Sequence, residues 1–278
     1  MKLAINTDAI SQDFETAVIL ALEWGIDCFE LKRIHQKRVP DITQDEIRII
    51  KSVIHSKQVT LCSLAPGLFK CVLDAHSILE ENKKLELSLD LAEELELSKV
   101  VIFAFDRDPA RTTDQAVPQI VDVLGAAAEK ARTRGCQLYV ENERNQWTED
   151  PRVLARIMSA VNSPALRVNW DPGNVIGTRT VNPFPEGYEI VREWVGHLHI
   201  KDLTVDPAGK HQNIMVGLGQ VNWVGQFESL INDGYRGYGV IEPHFGCRVG
   251  SSRSHIVETK RLLRQAQSNI ASSRQKEI

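Results

Sequence analysis

The 278-residue sequence has only five cysteines, at positions 28, 62, 71, 136 and 247, and none stands at CxxC or any other metal-ligand spacing. That excludes a zinc ribbon, a dithiol redox centre and a disulfide scaffold. Four of the thiols lie in or beside apolar strand-like runs, so buried, reduced cysteines are expected. No run of about 18 apolar residues occurs, and Met1-Lys2 leads straight into Leu3-Ala4-Ile5 without the basic segment and apolar stretch of a signal peptide. The expected compartment is the cytoplasm. P-loop and dinucleotide fingerprints are absent, as is a Ser-His-Asp order, which removes support for NAD chemistry and nucleophilic hydrolysis. Gly/Ser-rich linkers, low-complexity segments and internal repeats are lacking too. Net charge is only −4 with both signs interspersed. A broad nucleic-acid or anionic-membrane surface is therefore not expected, and the partner should be a small molecule.

What is present is an alternation of short apolar runs and longer amphipathic stretches. Phe14, Ala17, Val18, Ala21 and Leu22 recur at helical spacing, behind Ser11 as expected cap and before Gly25 as terminator. Cys28–Leu31 reads as the next strand. Thr43 and Glu46 form a capping box for a helix that turns Ile47, Ile50, Val53 and Ile54 inward. Val59–Leu64 and Val100–Phe103 read as strands around a helix striped by Leu85, Leu89, Ala92 and Leu95. Asp150-Pro151 caps a helix with proline at its first position, and Asn222 caps another that stops near Gly234. A helix near 185–194 and a long polar loop from Asp202 to Gln220 complete the pattern. Eight strands alternating with eight helices predict a single (β/α)8 TIM barrel over residues 1–268, followed by a frayed polar tail, 269–278.

Four of the strands end on a candidate metal ligand. They are Leu138-Tyr139-Val140-Glu141, Val168-Asn169-Trp170-Asp171, Gly196-His197-Leu198-His199 and Gly239-Val240-Ile241-Glu242. The ligands stand 30, 28 and 43 positions apart, about one strand-helix unit each. In a parallel barrel they gather at the carboxyl end, where active sites lie. Three carboxylates converging on an imidazole repel one another unless a cation compensates. The donor set suits a hard or borderline divalent ion: Mn²⁺ first, with Mg²⁺, Co²⁺ and Zn²⁺ as alternatives. Strand alternation places Glu143, Lys201 and His244 two positions nearer the mouth, and His197 two positions nearer the interior as a hydrogen-bonded group. Lys201 is suited to hold a developing oxyanion or to move a proton, unless Asp202 pairs with it. The segment Gly246–Arg253 offers backbone N–H groups and Arg248 to a phosphate or carboxylate. The Asp202–Gln220 stretch, with Lys210 and His211, is a candidate lid.

The ordered series Val-Glu-Asn (140–142), Trp-Asp-Pro-Gly-Asn (170–174), His-Leu-His-Ile-Lys-Asp (197–202), Gly-Leu-Gly-Gln-Val-Asn-Trp (217–223) and Ile-Glu-Pro-His (241–244) resembles the sugar phosphate isomerase/epimerase family of xylose-isomerase-like barrels. The resemblance spans nearly the whole chain. It implies one divalent ion on Glu141, Asp171, His199 and Glu242, with Glu141 and Glu242 as the acid/base pair on opposite faces of a keto sugar, sugar phosphate or sugar acid. Epimerisation or isomerisation through a metal-stabilised enediolate follows. A leaving group β to the carbonyl would turn the same chemistry into a dehydratase or lyase reaction.

Three departures separate the chain from the ketose 3-epimerases: Asn174 where they carry a histidine, Trp147 where they carry a second glutamate, and Val205 where they carry an arginine. Glu143, Asn174, His244 and Arg248 are accordingly the expected substrate contacts. An abasic-site endonuclease of this architecture needs extra metal-binding histidines, whereas His35, His55, His76 and His255 fall mostly in helical or loop stretches. A catalytically inactive sugar-binding barrel is the remaining alternative.

Overall fold

The computed structural model describes residues 1–178, 181–244 and 248–276, with the Arg248 and Lys276 side chains left aside. Eight parallel strands close into a barrel: β1 (Lys2–Asn6), β2 (Cys28–Leu31), β3 (Thr60–Leu68), β4 (Lys99–Ile102), β5 (Gln137–Glu141), β6 (Leu166–Trp170), β7 (Val195–Ile200) and β8 (Tyr238–Ile241). Each pairs with its sequence neighbours, and β8 returns to β1 through Leu3↔Gly239 and Ile5↔Ile241. The helices outside are α1 (Phe14–Glu23), α2 (Gln44–Lys57), α3 (Ala75–Glu94), α4 (Thr113–Thr133), α5 (Pro151–Val161), α6 (Tyr188–Val191), α7 (Trp223–Asn232) and α8 (Arg248–Lys276). The expected (β/α)8 fold is thus the observed one. Among the described residues, no helix is long and apolar enough to cross a membrane.

The main core fills the space between strands and helices, where Ile5, Leu138, Val140 and Val168 meet Phe14, Leu89, Leu124 and Leu154, all buried. The inside of the barrel is packed separately. Ala4, Cys28, Cys62 and Val240 make a small apolar layer, and Ala65, Val101 and Tyr139 another. Small side chains suit a closed eight-stranded interior, which is filled in layers rather than hollow. Cys28, Cys62 and Cys136 are buried free thiols and Cys71 is half-buried, while Cys247 lies outside the described residues.

Local chemistry accounts for the element ends. Thr43 and Glu46 make the reciprocal capping box, Asp150 caps α5 with Pro151 at its first position, and Asn222 Oδ1 accepts the Gly225 N–H at 3.0 Å. For α1 the cap is Asp13, not the expected Ser11. Its Oδ1 accepts the Thr16 N–H at 2.8 Å, while Ser11 Oγ accepts the Asp13 N–H one step earlier. Strand β3 runs to Leu68 rather than ending at Leu64, because its register against β4 shifts between those residues and pairing resumes at Leu68↔Ile102. The helix expected near 185–194 shrinks to Tyr188–Val191 behind a single wide turn at Pro183–Gly187, where Phe184 is non-helical.

Further predictions change in the tertiary structure. The polar stretch after β7 folds back as an antiparallel hairpin, Asp202–Val205 against His211–Ile214. Asp202 is buried and its carboxylate accepts the N–H groups of Leu203, Gly217, Gly219 and Val221, so one side chain pins the Gly-Leu-Gly-Gln-Val segment. A Cβ at Gly219 would collide with that carboxylate, which explains the glycine. The expected anion-binding loop is helical from Arg248 onward, with Phe245–Cys247 and the Arg248 side chain outside the described residues. Residues 269–276, read from sequence as a tail, continue α8.

Candidate metal centre and substrate pocket

Register explains how the ligands meet. Glu141 is the last residue of β5, Asp171 and Glu242 each follow a strand directly, and His199 lies next to the end of β7. Adjacent strands are in step, with Glu141↔Asn169↔His197 across β5–β7 and Val240↔His199 across β8–β7. One donor atom from each of Glu141, Asp171, His199 and Glu242 lies within 4.8 Å of the others, and all four residues are buried. The four predicted ligands are therefore brought together.

The donor set fits a divalent ion. His199 Nδ1 stands 3.3 Å from Glu141 Oε2 and 3.8 Å from Glu242 Oε2, yet among the described residues it has no hydrogen-bond partner; nor has buried Asp171 Oδ1. Buried polar atoms left in that state are costly, and ligation by a cation satisfies both. Charge gives the same answer. With His199 neutral, the buried carboxylates Glu30, Glu141, Asp171 and Glu242 outnumber the ammonium groups of Lys32 and Lys201 by two charges, which one divalent ion cancels.

A second tier orients these groups. Glu30, fully buried on β2, accepts from Ser63 Oγ at 2.7 Å, His197 Nε2 at 3.0 Å and His199 Nε2 at 3.1 Å. An ionised carboxylate only accepts, so His199 must carry a proton on Nε2 and present Nδ1 to the centre. Asn174 Nδ2 bridges Glu141 Oε1 and Asp171 Oδ2, both at 3.2 Å, and Asn169 Nδ2 donates to Glu141 Oε2 at 3.2 Å. Glu242 Oε1 accepts from Lys32 at 2.7 Å and Asn6 at 3.1 Å, while His244 Nε2 lies 3.1 Å from its Oε2. Lys201 pairs with Asp171 at 2.7 Å and not with Asp202, which the backbone N–H groups of its own loop occupy.

The electrostatics follow from burial set against these partners. Burial raises the carboxyls of Glu141 and Glu242, but His199 beside the first, and Lys32 and His199 beside the second, hold both below their ordinary value. Burial pushes Asp171 up to about 6 despite Lys201. Burial lowers His199, yet Glu141, Glu30 and Glu242 outweigh it and lift the imidazole well above its ordinary value. Lys201 stays charged, since Asp171, Glu242 and Glu141 overcome its desolvation.

Glu141, His199, Lys201 and Glu242 form one wall of a cavity of about 660 Å³ at the carboxyl end of the barrel, within the roughly 300–1,000 Å³ usual for small-molecule sites. Glu143, Asn174, Lys201 and His244 line it as expected. Glu143, however, is paired with Lys70 at 2.9 Å, and Asn174 is committed to two ligand carboxylates rather than projecting freely at a substrate. Sequence reading missed Glu30, Lys32, Arg38 and Arg144. For Glu30 a signal existed: one carboxylate inside the otherwise apolar run Cys28–Leu31, which is tolerated only if partners are waiting.

Comparison with known proteins completes the description. The family model for xylose isomerase-like TIM barrels matches residues 18–266. Similar solved structures include a probable 3-DHS dehydratase from Bacillus anthracis (17% identity, 92% of this chain and 98% of that chain, TM-score 0.76). Another is a xylose isomerase-like TIM barrel protein from Mycobacterium smegmatis in complex with magnesium (17% identity, 95% and 97%, TM-score 0.75). A third is 3-keto-D-glucoside 4-epimerase from E. coli (18% identity, 94% and 98%, TM-score 0.74). At these identities the likeness is one of fold. No curated protein matches the chain in sequence.

Proposed function

The chain belongs to the xylose isomerase-like TIM barrel family, and on that premise we propose that it is a divalent-metal-dependent isomerase or epimerase of a keto sugar, sugar phosphate or sugar acid. One observation carries the reading. Glu141, Asp171, His199 and Glu242 converge with an unsatisfied imidazole nitrogen and carboxylate oxygen between them, and Glu141, His199 and Glu242 line a substrate-sized cavity.

A bound divalent ion, with Mn²⁺ the first candidate and Mg²⁺, Co²⁺ or Zn²⁺ alternatives, supplies Lewis-acid stabilisation of the negative charge that develops on substrate oxygens. The residues do the rest. Glu141 and Glu242 approach the centre from β5 and from the end of β8, three strands apart around the ring. Both are held ionised, so either can take the proton from a carbon beside the carbonyl. The carboxylic acid so formed returns the proton to the neighbouring carbon in isomerisation; in epimerisation the other glutamate, having taken a proton from solvent, delivers it to the same carbon from the opposite face, and the first releases its proton to solvent. Charged Lys201 holds the developing oxyanion, and Asn174 fixes the rotamers of Glu141 and Asp171.

A second reading is favoured by His244, which is 41% exposed and lies against Glu242 at the pocket mouth. As an imidazolium it can protonate a hydroxyl β to the carbonyl, and β-elimination by a dehydratase or lyase results. Solvent-deuterium exchange over a panel of keto sugars and keto acids, with Mn²⁺ and with chelator, tests both. Metal-dependent wash-in beside the carbonyl supports the proposal. Loss of water without a stereoisomer supports elimination, and neither event across the panel refutes both.

A further inference from the structure

The cavity is polarised from floor to mouth. The floor holds the three ligand carboxylates and Glu30 with Lys32 and Lys201, and with His199 neutral a divalent ion brings that set to neutrality. The mouth is different. Among its described lining residues, four cationic side chains, Arg38, Lys70, Arg107 and Arg144, face two carboxylates, Asp106 and Glu143. Lys70 takes Glu143 at 2.9 Å, and Asp106 Oδ1 accepts from Gln146 at 3.2 Å. No carboxylate among the described residues lies within ion-pairing distance of Arg38, Arg107 or Arg144.

Two of these guanidinium groups are built into place. Arg38 ends the short hairpin after β2; its Nη2 donates to the Ala65 carbonyl at 3.2 Å, and its Nε is buried with no partner among the described residues. Gly67, at φ +78°, leaves the room its guanidinium occupies, since a Cβ there would strike it. Arg144, three residues past Glu141, is half-buried, and its Nε is likewise buried and unpartnered among the described residues. A surface arginine would put such donors in water. Two partly buried guanidinium groups line one cavity, and apart from the Arg38 bond to Ala65 neither makes a side-chain hydrogen bond among the described residues, an arrangement that suits a ligand with several acceptor oxygens and a negative charge.

Resting on the isomerase reading above, we propose that the substrate is an anionic keto sugar whose carboxylate or phosphate is held at the mouth by Arg38 and Arg144, with its carbonyl end toward Glu141 and Glu242. Exposed Arg107, stacked at 5.9 Å over Trp147, and Lys70 add attraction at longer range. The neutral ketose is the poorer ligand, because it offers the Arg38 and Arg144 guanidinium groups no charged acceptor.

The test uses three six-carbon polyols: sorbitol, gluconate with a terminal carboxylate at C1, and sorbitol 6-phosphate with a terminal phosphate at C6. Each is titrated calorimetrically into the Mg²⁺-loaded full chain and its Arg38→Gln, Arg144→Gln and doubly substituted variants. One anion is expected to bind about tenfold or more tighter than sorbitol, and that advantage should shrink in each variant and vanish in the double one. A preference for sorbitol 6-phosphate assigns a sugar phosphate, and one for gluconate a sugar acid. Equal binding of all three polyols overturns the proposal. So does an anion preference that survives both substitutions, because the anionic end then sits on the metal ligands. Arg144→Gln breaks no side-chain hydrogen bond among the described residues, which keeps the test sound if Arg38→Gln misfolds. Deuterium exchange on the same preparations separates the two proposals. No exchange with the anion preference intact sinks the isomerase reading alone, whereas exchange with equal polyol binding sinks this one alone.

Discussion

Replacing Glu30 by glutamine tests whether the second tier sets the tautomer of His199. The wild-type carboxylate accepts from Ser63, His197 and His199 at 2.7–3.1 Å and is fully buried. A glutamine side chain keeps the shape but offers one acceptor oxygen and one NH₂. If the NH₂ faces His199 Nε2, that nitrogen must become an acceptor, the ring proton moves to Nδ1, and the atom aimed at Glu141 and Glu242 can no longer ligate. If it faces His197, that ring changes tautomer instead and His199 loses the charged acceptor that makes Nδ1 a strong donor to a cation. Loss of such an orienting carboxylate costs about 10–100-fold in metal affinity, equivalent to about 1.4–2.7 kcal/mol. Calorimetric Mn²⁺ titration of wild type and Glu30→Gln, with circular dichroism to establish folding, gives the number. Affinity within about twofold of wild type in a folded variant would refute the reasoning, since a loss that small leaves this carboxylate no orienting role toward His199.

Glu141→Gln and Glu242→Gln should each lower turnover by about 10²–10⁴-fold; near-wild-type rates in a metal-loaded variant would remove that residue from the acid/base pair. Metal loading at neutral pH should release protons, because His199 is lifted well above its ordinary value by Glu141, Glu30 and Glu242 despite burial, and ligation requires its free Nδ1. Affinity therefore falls as pH falls, most steeply below about 6, where buried Asp171 also takes a proton. Calorimetry in two buffers of different ionisation enthalpy counts the protons, and a count of zero contradicts the assignment. Away from the site, Glu46 sits at about 2: burial works to raise it, but hydrogen bonds from Thr43 and Lys37 prevail. That stabilisation is present above pH 4.5 and is lost as pH falls toward 2, so Glu46→Gln should destabilise by about 1 kcal/mol at neutral pH. In urea denaturation the gap between the two proteins should close on acidification.

Much of the site was legible before folding because a strand-helix unit is local. Period-2 and period-3.6 patterns locate β5 to β8, and the residues Glu141, Asp171, His199 and Glu242 mark where those strands stop. Parallel order then puts all four at one end. Capping boxes and the Asp150-Pro151 start were readable for the same reason, while the Asp13 cap was missed because two capping residues compete within three positions.

Other features depend on closure. Glu30 reaches His199 across 169 positions, and Lys32 reaches Glu242 across 210, only because β8 pairs with β1 and brings the first two strands against the last two. Asp202 looked like a partner for Lys201 until four backbone N–H groups from its own loop claimed it. The sequence by itself determined the barrel, its polarity and the chemical type of its ligands, because hydrophobic period and strand ends act over a few residues. Only the tertiary structure decided which buried charges are matched, which nitrogen of His199 faces Glu141 and Glu242 and which arginines line the cavity, because a charge buried in a low-dielectric interior takes whichever partner closure brings within reach.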